Sequence, residues 1–472
     1  MARPVPAIRS AYVCQQCGAS SPRWSGQCAS CEAWNTLVET VVSRATPTSG
    51  SAARARERAA AAGSAAISPI GAVSSAEASR LPTGIDEVDR VLGGGLVPGS
   101  IVLFGGDPGI GKSTLLLQLA ARLASAGHAA LYLTGEESVA QVRGRAERVG
   151  AVVEGVGLVA TTDLATAVGA IEATAPALAV VDSVQTFASA ELGGPAGSVG
   201  QVREVATRLA EVAKAGATCV ALVGHVTKEG TVAGPRTLEH LVDAVIYLEG
   251  ERMGTTRLLR AAKNRYGSTE EVGVLEMRGD GLVEVADASR FFLESERPPV
   301  AGSAITIALE GTRPLAVEIQ ALVAPAGYGS PRRATTGIDV NRVLMLIAVL
   351  ARHAALNLTG HDVYVNVAGG LRIEEPAADL AVAVALASSL RERAVREGTV
   401  LAGELSLSGR LRPASRAERR MAEAGRLGFD RLVTGPEHGA ARAGRGAASG
   451  SAAQIVTAAD LREALRQALV ES

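Results

Sequence analysis

The feature that most constrains this chain is a glycine-rich turn between an apolar run, residues 101–104, and a segment with helical periodicity. The turn matches the pattern G-x-x-x-x-G-K-[ST]. A strand, a turn and a helix in this order direct backbone N–H groups at phosphate oxygens. In this pattern the lysine reaches the β- and γ-phosphates, and the serine hydroxyl binds Mg²⁺. We therefore predict that ATP and Mg²⁺ bind at the residues of this turn, Gly106, Asp107, Pro108, Gly109, Ile110, Gly111, Lys112, Ser113 and Thr114.

The sequence around this turn predicts an α/β core. Strand-like runs occur at residues 101–104, 129–134, 178–181, 218–223 and 244–248. Helical patterns separate most of them, at residues 113–126, 138–149, 163–174 and 200–215. Strands that alternate with helices indicate a doubly wound, mostly parallel sheet. A phosphate ligand then binds beyond the carboxyl ends of the strands.

Polar side chains follow three of these predicted strands. Asp182 ends an apolar strand in the Walker B manner, so we expect it to hold Mg²⁺ together with Ser113. Glu136 and Glu137 follow the second strand, and one of them could polarise the attacking water. The alternative, an acid favoured at a helix N-terminus, fits Glu137 better. His225 follows the strand at 218–223 and either senses the γ-phosphate or has a structural role.

Four of the five cysteines form two CxxC pairs near the N-terminus. Cys14 and Cys17 are separated by ten residues from Cys28 and Cys31. This spacing is typical of a tetrahedral Zn²⁺ site of the ribbon or knuckle kind. A disulfide pair or a single redox CxxC is the alternative, and a cytosolic ATPase argues against disulfides. Cys219 lies alone in an apolar strand and is expected to be a buried residue without chemistry.

Composition limits the remaining possibilities. The net charge is −1, so any nucleic-acid contact must come from a local basic patch. Aromatic residues make up 3% of the chain, which disfavours an extended stacking platform for single strands. No run of 18 apolar residues occurs, and no apolar signal region precedes Cys14. We therefore expect a cytoplasmic protein that does not bind membranes.

The composition along the chain predicts four regions. Trp24 and Trp34, in the first region, are expected to pack over the small metal core. The fourth region has its own strand patterns at 304–309, 314–323 and 362–367 and helical patterns at 339–354 and 376–390. The regions are a zinc module at 1–42, an Ala/Ser-rich linker at 43–79, the ATPase domain at 80–296 and a second α/β domain at 297–472.

The chain resembles the bacterial RadA family, also called Sms, of RecA-related DNA repair proteins. The likeness covers nearly the whole length apart from the linker. It includes the four-cysteine module, the glycine-rich turn and the segments 81–86, 135–138, 182–186 and 224–228. The most specific segment is Lys263-Asn264-Arg265-Tyr266-Gly267, which is similar to the family's KNRFG sequence with Tyr in place of Phe.

The resemblance implies a RecA-like P-loop ATPase that forms a homo-hexameric ring. It implies an ATP-driven motor on single-stranded and branched DNA that performs branch migration, with RecA recombinase as a partner. It also implies that Glu136 activates the water and that Gln185 and His225 act as sensors. Lys263 and Arg265 follow an apolar strand pattern at 256–260, and their spacing predicts that they point to the same side of the chain. In a ring they would face the neighbouring subunit's ATP, and the alternative is that both are ordinary surface cations. Loops after residues 186 and 226 would line the DNA channel, and Lys228 and Arg236 could neutralise phosphates.

The C-terminal region resembles the proteolytic domain of Lon. Ala377 stands at the position of the Lon nucleophilic serine, and Glu418 stands at the position of its catalytic lysine. Because a Ser–Lys dyad needs a hydroxyl nucleophile and an amine base, we expect a scaffold without peptidase activity. Arg332 and Arg333 are either a basic patch or part of a solvated turn.

Two other functions compete with a DNA-stimulated motor. One is a RecA-like signalling or clock-type ATPase that regulates a protein partner without moving on DNA. The other is an ATP-dependent protease, which the missing serine and lysine disfavour.

Overall fold

The computed structural model describes residues 9–14, 20–21, 23–30, 32–34, 36–42, 80–224, 238–250, 254–293, 300–327, 330–436 and 454–470. The chain divides into two compact units. The first unit comprises residues 1–249, 259–269 and 278–282, and the second comprises residues 250–258, 270–277 and 283–472. The predicted linker at 43–79 lies outside the described residues, and the boundary near residue 297 stays a prediction.

The N-terminal module is a small antiparallel sheet. Its strands are β1 (Arg9–Cys14), β2 (Ser20–Ser21) and β3 (Leu37–Val42), in the order β2-β1-β3. The pairing of β1 with β3 places Cys14 opposite Leu37. Cys14, Cys28 and Leu37 form a buried cluster.

Parallel strands form the centre of the first unit, as the alternating pattern predicted. Their order in the sheet is β9-β4-β8-β7-β5-β6. Each neighbouring pair is parallel. The strands are β4 (Ile101–Gly105), β5 (Ala130–Thr134), β6 (Val156–Ala160), β7 (Leu178–Asp182), β8 (Cys219–Val223) and β9 (Ala244–Glu249).

Four described helices of this unit lie within one residue of the predicted ranges, and the sequence patterns missed a short helix at 86–92. Polar side chains fix several of their first turns: Ser138 caps one helix in a capping box with Gln141, and Asp163 and Ser198 cap the next two. The helices are α1 (Asp86–Leu92), α2 (Lys112–Ser125), α3 (Val139–Arg148), α4 (Leu164–Thr174) and α5 (Val199–Gly216).

The sequence patterns missed three strands of this sheet and located only the first part of a fourth, at residues 256–260. Strand β6 is half exposed at the sheet edge, so it lacks the continuous apolar run of its neighbours. Beyond β9 the sheet continues with strands that contribute residues to both units and are followed by a short helix. These elements are β10 (Thr256–Asn264), β11 (Val272–Arg278), β12 (Gly281–Glu284) and α6 (Ala288–Phe291).

The second unit is built on a seven-stranded mixed sheet in the order β15-β16-β14-β13-β17-β20-β21. A separate two-stranded sheet pairs β18 with β19. The three strand patterns predicted for this region are confirmed as β13, β14 and β16. The strands are β13 (Ser303–Glu310), β14 (Arg313–Pro325), β15 (Arg333–Thr336), β16 (His361–Val367), β17 (Thr399–Leu401), β18 (Gly403–Leu405), β19 (Leu411–Pro413), β20 (Arg431–Thr434) and β21 (Gln454–Thr457).

Helices cover both faces of this second sheet. Along β13, Ala304 and Ala308 belong to the core under α7, α8 and α10, whereas Ile305 and Ile307 face the core that contains α9. This alternation is the period-two pattern of a strand buried on both sides. The helices are α7 (Val340–Ala354), α8 (Asp379–Arg391), α9 (Ala417–Arg426) and α10 (Leu461–Ala468). No helix in the described part of the chain is both long enough and apolar enough to cross a membrane.

A buried ion pair joins two segments of the second unit. Arg420 on α9 is fully buried, and its guanidinium makes two hydrogen bonds to the Glu375 carboxylate, one of them at 3.1 Å. Arg420 also donates to the Ile307 carbonyl, and Glu375 accepts from the Leu309 N–H at 2.7 Å. Glu375 lies two residues before Ala377. The pair therefore holds together the segments on which a Lon-type dyad would be built.

We expect Arg420→Met to destabilise the second unit by about 3–5 kcal/mol, because it leaves the Glu375 carboxylate without its counter-charge. Differential scanning calorimetry of the full chain would measure the loss. Arg412→Met is the matched control, since Arg412 and Glu404 form an exposed pair at 3.2 Å that is worth at most about 1 kcal/mol. Adding Glu375→Leu to Arg420→Met should recover part of the lost stability. If Arg420→Met and Arg412→Met lower the stability equally, the structural role of the Arg420–Glu375 pair is contradicted.

Candidate nucleotide site

The glycine-rich turn lies where the sequence predicts it, between the end of β4 and the start of α2. Gly106 has φ of 145°, and a Cβ at this position would lie 2.4 Å from the Leu248 carbonyl oxygen. Gly111 has φ of 114° and caps α2. Only glycine adopts both conformations without strain, so the turn depends on these two residues. The first N–H groups of α2 are presented to an anion beyond the strand ends.

Lys112 crosses back over the turn. Its ammonium donates to the carbonyl oxygens of Gly106 at 2.8 Å and Asp107 at 3.0 Å, and the residue is 3% exposed. Burial lowers the pKa of Lys112, and the nearby carboxylates of Asp182, Asp107 and Glu136 oppose that shift. The structure thus brings the predicted lysine and both predicted carboxylates into one electrostatic cluster.

Asp182 ends β7 and is 5% exposed. The Tyr132 hydroxyl donates to its Oδ2 at 2.5 Å, and Nη1 of Arg145 lies 3.9 Å from the same oxygen. A carboxylate and the Ser113 hydroxyl at the start of α2 are the hard oxygen donors that Mg²⁺ prefers. These residues fit a magnesium ion that would also hold the phosphates.

The two glutamates after β5 have different partners. Glu137 forms an ion pair with Arg145 on α3. Glu136 accepts a hydrogen bond from the Ser183 hydroxyl, which follows Asp182 directly. Gly135 permits this approach of the two strand ends, because a Cβ there would lie 2.1 Å from the Thr186 hydroxyl. The arrangement favours Glu136 as the acid beside the phosphates.

Lys263 and Arg265 are held against the segment that precedes β9. The Lys263 ammonium donates to the carbonyls of Glu239 at 2.6 Å and Val242 at 2.8 Å. Arg265 donates to Oδ1 of the buried Asp243 at 2.8 Å, and its side chain is 53% exposed. Desolvation and the charge of Arg265 lower the pKa of Lys263. The two cations lie on the same side of the chain, as their spacing predicted.

The loop with Lys263 and Arg265 lies beside the amino end of β4, whereas the glycine-rich turn follows the carboxyl end of that strand. The Asp243 carboxylate accepts from the Ile101 N–H at 3.1 Å, and the Asp243 carbonyl accepts from the Arg265 N–H at 3.0 Å. Ile101 is the first residue of β4, whereas the turn follows its last residue. Five strand residues separate the two ends by about 16 Å. Arg265 therefore lies beyond reach of the phosphates bound by its own chain.

In the N-terminal module, the described thiols fit a zinc site. Cys14 and Cys28 are 1% and 3% exposed, and the Cys28 sulfur accepts the Ser30 N–H at 3.4 Å. An N–H donor to sulfur stabilises a thiolate ligand. The prediction that Trp24 and Trp34 pack over the metal core is wrong. They are 58% and 70% exposed, because the small buried cluster has no room for two indoles.

Several predicted site residues lie outside the described residues: Cys17, Cys31, His225, Lys228 and Arg236. Gln185 lies three residues beyond β7, and its sensor role stays a prediction. The basic patch at Arg332 and Arg333 is not supported for Arg333. Its guanidinium donates to the carbonyls of Arg332, Leu358 and His361, so it stabilises the turn before β16.

Three family models match the chain. They are an AAA domain over residues 68–231, a rubredoxin metal binding domain over residues 12–39 and subunit ChlI of Mg-chelatase over residues 339–438. The KaiC-like protein PH0186 from Pyrococcus horikoshii OT3 is 20% identical, with a TM-score of 0.38, over 44% of this chain and 98% of that chain.

Whole-length relatives decide the family. DNA repair protein RadA of Bacillus subtilis is 47% identical over 90% of this chain and 92% of the relative. The RadA proteins of Mycobacterium tuberculosis H37Rv and Pseudomonas aeruginosa are 46% and 47% identical, over 91% and 89% of this chain and 88% and 92% of the relatives. The chain belongs to the RadA family of DNA repair proteins. Its first unit contains a P-loop ATPase domain, and the predicted zinc ribbon agrees with the rubredoxin-type match.

We expect one Zn²⁺ per chain, bound by the four thiolates of Cys14, Cys17, Cys28 and Cys31. The buried cluster of this module is so small that the metal should supply most of its folding energy. Metal analysis of protein purified under reducing conditions should give about one equivalent. Cys28→Ser should lower that value, whereas Cys219→Ser should not, since Cys219 is buried in β8 and burial raises its pKa to about 12. Metal-free protein with an intact module would contradict the assignment.

Sequence reasoning missed Tyr132, Arg145 and Asp243. Tyr132 reads as an apolar strand residue, and Arg145 reads as a surface charge on a helix. Asp243 precedes a strand without any motif. Each acquires its role only when parallel strands and the helix above them come together.

Proposed function

We propose that this chain is a DNA-stimulated ATPase motor that works as a ring and processes branched recombination intermediates with a RecA-type recombinase. The names of its relatives, DNA repair protein RadA, support the assignment to DNA repair. In the proposed site, Lys112 binds the phosphates, Ser113 and Asp182 hold Mg²⁺, and Glu136 polarises the attacking water. Bound Mg²⁺ would neutralise charge on the β- and γ-phosphates.

One observation carries the ring proposal. Lys263 and Arg265 lie near the amino end of β4. Their own glycine-rich turn follows the carboxyl end of β4, about 16 Å away along the strand. The Arg265 side chain is nevertheless 53% exposed, on a loop held by the buried Asp243. A head-to-tail assembly would place this loop beside the turn of the next subunit. The complete site is then formed by two chains.

DNA contact is proposed for two loops that follow the carboxyl ends of parallel strands. In the loop after β7, the buried Gln201 amide donates to the carbonyls of Ser189 at 3.1 Å and Leu192 at 2.6 Å. These hydrogen bonds fix the backbone of the loop at Ser189 and Leu192, although the loop contains several glycines. The second loop, with Lys228 and Arg236, lies outside the described residues. Both cations are proposed to neutralise DNA phosphates.

The rate of phosphate release with and without single-stranded DNA tests this function. A motor should be stimulated by single-stranded DNA, and the stimulation should fall as salt rises because phosphate contacts release counterions. Lys228→Ala with Arg236→Ala should weaken stimulation while leaving the basal rate unchanged. If single-stranded DNA leaves the rate of phosphate release unchanged at all salt concentrations, an ATPase that regulates a protein partner is favoured.

The second unit is proposed to be a scaffold without peptidase activity. Ala377 is 6% exposed within an apolar cluster, and Glu418 lies in the first turn of α9. An alanine methyl group and a carboxylate supply neither the nucleophile nor the amine base of a Ser–Lys dyad. The buried Arg420–Glu375 pair instead supports a structural use of these segments.

A further inference from the structure

Within the described part of the chain, the side-chain hydrogen bond to Asp182 uses one of its two carboxylate oxygens. The Tyr132 hydroxyl donates to Oδ2 at 2.5 Å, and Nη1 of Arg145 lies 3.9 Å from that same atom. Among the described residues, no side chain donates a hydrogen bond to Oδ1. The carboxylate is therefore held on one side, with its other oxygen available to a ligand.

The sheet register explains how Tyr132 reaches Asp182. Strands β5 and β7 are parallel, with Tyr132 opposite Val180 and Thr134 opposite Asp182. Residues two apart on a strand point to the same face, so Tyr132 and Asp182 share a face and lie one step apart along it. The phenol thus approaches Asp182 from within the sheet, on the side away from the strand end.

Tyr132 can act only as a donor here. The residue is 0% exposed, and the carboxylate oxygen that its hydroxyl contacts can only accept a hydrogen bond. A buried hydroxyl without an acceptor is destabilising, so the bond to Oδ2 is strongly favoured.

Arg145 adds a second constraint on the same oxygen. Its guanidinium pairs with Glu137, and its buried Nη1 has no hydrogen-bond partner among the described residues. That atom faces Oδ2 of Asp182 at ion-pair distance. The positive charge of Arg145 thus lies beside the Asp182 carboxylate on the Oδ2 side.

We propose that Tyr132 is a positioning residue that fixes Asp182 through Oδ2, so that Oδ1 is presented to Mg²⁺. The proposal rests on the proposed role of Asp182 as a magnesium ligand. Groups that orient a metal ligand commonly contribute 10- to 100-fold to metal affinity. Tyr132 would therefore act on magnesium-dependent nucleotide binding, and much less on nucleotide binding without the metal.

The test is the affinity of the full-length protein for a fluorescent ADP analogue, measured in EDTA and across a Mg²⁺ titration. For Tyr132→Phe we expect the affinity in EDTA to stay within about twofold of wild type, and the half-saturating Mg²⁺ concentration to rise about tenfold. The ring is retained, so packing should be preserved. Tyr364→Phe, which removes an exposed hydroxyl on β16, is the matched control and should behave like wild type.

Asp182→Asn separates failure of this proposal from failure of the site. If Asp182→Asn loses the Mg²⁺ effect while Tyr132→Phe titrates like wild type, Tyr132 is not a positioning residue and the magnesium role of Asp182 stands. If Asp182→Asn keeps the full Mg²⁺ effect, the proposed metal site itself is wrong. Equal weakening of Tyr132→Phe with and without Mg²⁺ would assign the residue to general packing and overturn the proposal.

Discussion

Lys112→Ala is expected to abolish measurable nucleotide turnover while the protein still folds. Lys112 is the one lysine or arginine in the turn at residues 106–114, and its ammonium is proposed to bind the phosphates. Removing it should cost ~3–5 kcal/mol of transition-state stabilisation, which corresponds to a fall in rate of at least about 100-fold. Steady-state phosphate release by the purified variant measures this loss.

Folding should survive this substitution. The lost contacts are two hydrogen bonds to the carbonyls of Gly106 and Asp107, and the phosphate-facing edge lets water replace them. Circular dichroism and the unfolding midpoint should therefore stay near the wild-type values. Lys214→Ala, in the last turn of α5 and exposed, is the control for removing a lysine. Near-normal turnover by Lys112→Ala would remove the basis of the whole site assignment.

The parts that the sequence predicts well are those that depend on local pattern. The glycine-rich turn needs a strand before it and a helix after it, so a single motif locates β4, α2 and the phosphate position. Apolar runs that end in polar residues locate Asp182 and Glu136 at one sheet edge. The positions of the strand, the turn, the helix and the two carboxylates are confirmed because each is encoded within about ten consecutive residues, whereas the phosphate position stays a prediction.

The parts that the sequence does not predict depend on contacts between distant segments. The Oδ2 contact of Asp182 joins β5, β7 and α3, and the Arg265 contact joins β10 to the start of β4 and β9. Trp24 and Trp34 are predicted from local sequence to pack over the metal core, but their indoles are exposed. Large aromatic residues are expected to be buried, but the buried cluster among the described residues of this module is too small to enclose them.

Arg265→Ala is expected to reduce ATP turnover by roughly 10³–10⁵-fold, the range found when an arginine that stabilises γ-phosphate charge is supplied in trans. Arg265 lies at the opposite end of β4 from its own glycine-rich turn, so in the proposed ring it would reach the neighbouring subunit's nucleotide. Arg260→Ala is the matched control on the same strand, because Arg260 pairs with Glu249 at 3.1 Å at a partly exposed site. That variant should keep near-normal turnover.

Subunit mixing decides whether the arginine acts in trans. A chain carrying Arg265→Ala keeps an intact glycine-rich turn, and a chain carrying Lys112→Ala keeps an intact Arg265 loop. In randomly mixed head-to-tail rings, about one quarter of the interfaces combine the two intact halves. Activity should therefore return on mixing two inactive variants, up to about a quarter of the wild-type rate if the sites are independent. If Arg265 served its own subunit's nucleotide, every site would contain one defect, and rings shown by labelling to be mixed would stay inactive.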